Sequence, residues 1–150
     1  MKKMSVYLAH PISGLTFEKV VEYFEPHVEQ LKEAGYLVYD PVTMYTESIN
    51  KKEVCAPADL KGPLINNHAL FERDQWMCTK VDVVLSDLTG ATKASIGCVM
   101  ELAWASLKGV HTVVVMEKGN PHYHGFVLEA ADVVFETFDE ALDYLANINQ

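Results

Sequence analysis

A chain of 150 residues, 49% of them apolar, is long enough to bury a core and fits one domain, residues 1–150. Its net charge of −9 argues against a nucleic-acid polymer as partner, which demands a basic footprint, but leaves room for a single nucleotide in a local site. Three cysteines without paired spacing, no signal-peptide pattern at the start and no apolar run near the roughly 20 residues that span a bilayer together predict a reducing, cytoplasmic setting with no membrane partner.

The elements alternate along the chain. Ser5–Ala9 reads as a buried strand, followed by a loop at His10-Pro11-Ile12-Ser13-Gly14. Phe17, Val20, Val21, Phe24, Val28 and Leu31 share one face of a helix over 16–34, with a kink or break expected at Pro26 and a stop at Gly35. Residues 36–40 form a second strand ended by Pro41, and the polar segment 44–63 reads as a long loop or lid. A helix over 66–80 leads into a third strand over 81–88. A helix over 95–108 and a fourth strand over 111–116 follow. A short helix over 127–131, a strand over 132–136 and a closing helix over 139–148 complete the pattern. This alternation predicts an α/β fold of the doubly wound, flavodoxin- or Rossmann-like kind: a parallel sheet of about five strands with helices on both faces.

Such sheets bind ligands at the carboxyl ends of their strands. Three segments are expected to converge there. The first loop carries His10, Ser13 and Gly14; the helix from Asn66 carries Asp74; the helix opened by Ser95 carries Glu101. Glu101 is a carboxylate among Met100, Leu102, Ala103 and Trp104, which solvation alone explains poorly. Two carboxylates from different elements suit a reaction in which one attacks while the other donates a proton. Ser95, with the amides of Ile96 and Gly97, would form an anion site at a helix start.

On these residues the chain resembles the nucleoside 2-deoxyribosyltransferase superfamily, which includes the 2′-deoxynucleoside 5′-phosphate N-hydrolases. The resemblance is carried by Tyr7-Leu8-Ala9-His10-Pro11-Ile12-Ser13-Gly14, by Phe71-Glu72-Arg73-Asp74-Gln75-Trp76 and, most specifically, by Ala94-Ser95-Ile96-Gly97-Cys98-Val99-Met100-Glu101-Leu102-Ala103. It implies that Glu101 attacks the anomeric carbon, that Asp74 handles the base and its proton, and that Tyr7 positions the nucleophile. It also implies that Ser95 binds a 5′-phosphate, since the free-nucleoside transferases commonly carry an aspartate there. The first loop departs from the family's Gly-Ser-x-Arg-Gly pattern: Pro11 and Ser13 stand in its serine and arginine places. His10, Ser13 or a histidine of His122-Tyr123-His124 is left to replace the arginine, and a residue near His124 reaches a neighbouring subunit in the family.

Without the resemblance, blander readings stand. Glu101 is a surface or ion-paired helix carboxylate, Asp74 a solvated neighbour of Arg73, Tyr7 a core residue and Ser95 a plain helix cap. Asp87 either supports the site or forms a turn. His122 and His124 lack a third partner for a metal. The expectation is therefore cleavage of the N-glycosidic bond of a (2′-deoxy)nucleoside 5′-monophosphate through Glu101, with no cofactor and no metal, in a homodimer or larger assembly. The alternatives are base exchange on free deoxynucleosides and a non-catalytic nucleotide-binding protein of the same fold.

Overall fold

A computed structural model of the chain describes residues 2–42 and 66–150. Its order is β1 (Ser5–Ala9), α1 (Phe17–Glu33), β2 (Leu37–Tyr39), α2 (Asn67–Cys78), β3 (Val83–Asp87), α3 (Ile96–Leu107), β4 (His111–Val115), α4 (Gly125–Ala130), β5 (Val133–Phe135) and α5 (Phe138–Ile148). The segment 44–63, read above as a loop or lid, lies outside the described residues.

The strands form one five-stranded sheet in the order β2-β1-β3-β4-β5, and every pairing is parallel. Successive side chains of a strand point to opposite faces. Val6, Leu8, Val83, Leu85, Val113 and Val115 thus pack with Val20, Phe24 and Leu31 of α1 and with Ala141 and Leu145 of α5. Tyr7, Ala9, Val84 and Val114 turn the other way, toward Met77 and Cys78 of α2, Cys98, Leu102 and Ala105 of α3 and Val127 of α4. Burial on both faces is why these strands read as continuous apolar runs rather than alternating ones. The chain reverses its direction of travel across the sheet between β1 and β3, so their carboxyl ends open a crevice at the switch point.

The expected break at Pro26 does not occur: α1 runs unbroken through it. Pro26 is exposed, so water can satisfy the carbonyl one turn back that it cannot serve. One residue on, the His27 ring Nδ1 donates to the Tyr23 carbonyl at 2.6 Å. The stop at Gly35 is as expected. Its φ is +93°, and the Tyr36 amide returns to the Leu31 carbonyl at 3.1 Å, taking Tyr36 out of β2. The last helix begins one residue early, at Phe138, because Thr137 and Glu140 form a reciprocal capping box.

Candidate active site

A cavity of about 810 Å³ opens at the carboxyl edge of the sheet beside α2 and α3. Its lining includes Asp74, Ser95, Gly97 and Glu101, brought together from α2 and α3, with His10 and Ser13 from the loop after β1. Gly14 and His124 do not line it among the described residues. Gly14 takes a φ of +85° in the turn beyond, and His124 caps α4, accepting from the Phe126 amide at 3.2 Å.

Tyr7 lies under the cavity and is fully buried. Sharing the face of β1 with Ala9, it points to α3, where its Oη donates to Glu101 Oε1 at 2.9 Å. Glu101 keeps 7% exposure. Burial, then the neighbouring Asp74 charge, push its carboxyl up to about 8, while the Tyr7 hydroxyl and Arg73 pull the other way. Oε1 is thereby held, and Oε2 is left for chemistry. The Tyr7 hydroxyl itself is raised well above its usual value by burial and by Glu101, so it stays a donor.

Asp74 is held by its sequence neighbour. Arg73 Nε and Nη2 both reach Asp74 Oδ1, at 2.9 and 2.7 Å, and Nη2 also donates to the Pro41 carbonyl. Burial raises the Asp74 carboxyl above its ordinary range, against the opposing pull of Arg73. Burial thus pushes both carboxyls toward the protonated form, Glu101 up to about 8.

His10 donates from Nδ1 to the Asp87 carbonyl at 2.7 Å and stacks on Tyr23 with centroids 3.5 Å apart. Asp87 both forms a turn and supports the site. Its Oδ1 accepts from the amide and hydroxyl of Thr89, and its Oδ2 from Tyr23 Oη at 2.5 Å. Burial lowers the His10 pKa, which leaves the ring neutral and its Nε2 an acceptor. A neutral ring supplies no positive charge at this place. Among the described residues the cavity wall carries one lysine, Lys93, which no ion pair engages. Sequence reasoning passed over Lys93 because a lone lysine in a loop ordinarily marks solvent.

Ser95 caps α3, accepting from the Cys98 amide at 3.3 Å. The Ile96 and Gly97 amides have no acceptor among the described residues, and a Cβ placed on Gly97 would meet no atom within 4 Å. The helix start is thus open to the cavity, and its unpaired amides and positive dipole end suit an anion. The Ser95 amide is already engaged, by His122 Nε2 at 2.7 Å. His122 and His124 accordingly diverge, and no set of three His, Cys, Asp or Glu residues gathers for a metal among the described residues. None of the described helices is long and apolar enough to cross a membrane.

No family model and no curated protein matches the chain. Several solved structures resemble it, two of them over nearly their whole lengths. A conserved protein from Enterococcus faecalis V583 superposes with a TM-score of 0.72 at 16% identity, covering 98% of this chain and 99% of its own. The CMP N-glycosidase BcmB from Clostridium botulinum superposes with a TM-score of 0.58, also at 16% identity, covering 96% and 98%. At this identity the likeness is one of fold, the parallel five-stranded α/β architecture on whose carboxyl edge the cavity lies.

Proposed function

We propose that the protein cleaves the N-glycosidic bond of a nucleoside or 2′-deoxynucleoside 5′-monophosphate, with Glu101 as nucleophile and Asp74 as acid. The observation that carries this reading is a buried carboxyl on the cavity wall, held through one oxygen by Tyr7 and coupled electrostatically to a second carboxyl. The shared fold with a CMP N-glycosidase supports the reaction class.

In the first step Glu101 Oε2 attacks C1′, and the C1′–N bond breaks with its electron pair going to the base. Asp74 gives the departing base a proton. The result is a glycosyl ester on Glu101. In the second step water attacks C1′, its proton goes to Asp74, and the ester bond breaks to release the sugar phosphate. Tyr7 acts through Glu101: its hydrogen bond favours the ionised carboxylate that burial disfavours. On this reading the two carboxyls meet the positive charge that develops at C1′, and Lys93 and the α3 amides, which line the same cavity, meet the phosphate.

Chromatographic measurement of base release from a panel of nucleosides and monophosphates, with and without a second free base, tests the reading. Transfer to the added base instead of release to water would make the protein a transferase. No release from any member would leave a nucleotide-binding protein.

The 5′-phosphate carries a quantitative expectation. Charge-assisted hydrogen bonds are each worth about 1.5–3 kcal/mol. Monophosphates should therefore exceed the matching nucleosides in kcat/KM by at least about tenfold, which needs only ~1.4 kcal/mol. Ser95→Ala should narrow this gap by removing the hydroxyl, and Ser95→Asp should reverse it by repelling the phosphate. Equal efficiency on both substrate classes in the unmodified protein would remove the phosphate from the assignment.

A homo-oligomer accompanies this reading. Ile96, Leu107 and Phe126, 79%, 82% and 83% exposed, stand on α3 and α4, where a second copy would cover them. Light scattering giving the monomer mass at micromolar concentration would exclude it.

A further inference from the structure

The loop between β4 and α4 carries three side chains that the proposed chemistry does not use, and all three reach across to the cavity wall. Glu117 Oε1 accepts from the Gly90 amide at 3.1 Å. Asn120 Nδ2 donates to the Leu88 carbonyl at 2.7 Å and to Glu117 Oε2 at 3.0 Å. His122 Nε2 accepts from the Ser95 amide at 2.7 Å. These contacts bracket residues 88–95, the stretch that supplies Thr92, Lys93 and Ser95 to the cavity.

The network also fixes protonation. Asn120 donates twice through Nδ2 and accepts the His122 amide through Oδ1 at 3.0 Å, so its amide orientation is settled. The same Oδ1 lies 2.8 Å from His122 Nδ1, which must then be the ring nitrogen that carries the proton. Nε2 is bare, as acceptance from Ser95 requires. Asn120 and His122 are 4% and 1% exposed, so water does not stand in for these contacts.

We infer that His122 is a positioning residue for the phosphate end of the cavity: its neutral Nδ1–H tautomer holds the Ser95 amide and so sets the wall from which Ser95 and Lys93 face the ligand. The inference rests on the proposed monophosphate reading for its effect on turnover. Glu101, Tyr7 and Asp74 belong to α3, β1 and α2 and share no hydrogen bond with this network. Its loss should therefore weaken binding rather than the chemical step.

The test compares His122→Phe, which keeps a ring but removes both nitrogens, with His122→Gln, whose side-chain oxygen can take the place of Nε2. His122→Phe should raise KM for a monophosphate about tenfold, the effect of leaving one buried donor unpaired, with kcat within about twofold and nucleoside KM unchanged. His122→Gln should restore most of the lost affinity. Equal behaviour of the two variants, or parallel changes in KM and kcat on both substrate classes, would overturn the inference. Two measurements are independent of turnover. Nitrogen-15 spectra of the unmodified protein at neutral pH should show His122 protonated at Nδ1 alone, and Ser95 amide exchange should quicken in His122→Phe but not in His122→Gln. A proton on Nε2, or unchanged Ser95 exchange, would overturn the anchor. Absence of base release from the unmodified protein would instead overturn the proposed activity and leave these two measurements to decide.

Discussion

Replacing Glu101 by glutamine is expected to abolish base release and, at the same time, to stabilise the fold above neutral pH. An amide is no nucleophile at C1′, so kcat/KM should fall at least about 10³-fold, and Glu101→Ala should match it. The stability effect follows from linkage. The Glu101 carboxyl titrates near 8 in the folded chain, against an ordinary value of 4.5. Its burial is harmless below the unfolded value, where both states are protonated. Stability is lost as pH rises from about 4.5 through about 8, because the unfolded chain releases the proton first. Glutamine removes that loss, on the order of a few kcal/mol at full extent. The melting temperature of Glu101→Gln should exceed that of the unmodified protein at pH 8 and converge with it near pH 4.5. Near-normal base release with an unchanged circular dichroism spectrum would take Glu101 out of the mechanism. A constant melting difference across pH would show that its burial is not the cause.

The second large effect concerns Asp74 and the proton the two carboxyls share. The reaction needs an ionised Glu101 and a protonated Asp74, and burial raises both carboxyls, so one proton can sit on either. The two arrangements contain the same number of protons, so the singly protonated pair is competent once the proton has moved. kcat/KM on a natural base should therefore be bell-shaped. It should decline about tenfold per unit above pH about 8, as the pair loses its proton, and decline on the acid side as Asp74 takes a second one. Asp74→Asn removes both the acid and the charge that raises Glu101. Activity on natural bases should drop by about 10²–10⁴-fold, while a substrate with an activated leaving group should lose far less. On that substrate the profile should rise with pH and then level, since only Glu101 ionisation remains. An alkaline decline that survives in Asp74→Asn, or equal losses on both substrates, would make Asp74 a structural partner of Arg73.

The architecture was legible in the sequence where strands are buried on both faces. Tyr7-Leu8-Ala9 and Val113-Val114-Val115 are unbroken apolar runs, and the helices between them impose the parallel order. Pro26 misled because the rule against proline inside a helix assumes a carbonyl deprived of water, and this one faces solvent. The site was legible in part. Ser95, Gly97 and Glu101 fall within one helix and its cap, so their grouping is local. Tyr7 and Glu101 are 94 positions apart, and only the family resemblance joined them before the fold did. The blander reading made Asp74 a solvated neighbour of Arg73, because adjacent helical residues do not ordinarily face one another; here both bend into the same partly buried corner. The bond between His122 and Ser95 spans 27 positions and depends on how a loop folds back, for which the sequence carries no periodic signal.

The three groups assigned to bond cleavage sit on regular elements, whereas the wall facing the far end of the ligand is a loop tied down at both ends. Between those ties Thr92, Lys93 and Ala94 are exposed and carry no core contacts. Substitutions there change the ligand's surroundings without moving the sheet or α3. On the proposed reading, recognition and chemistry lie on separable segments. If that reading holds, exchanging a few consecutive residues of one loop would shift substrate preference while Glu101, Asp74 and Tyr7 stay in place.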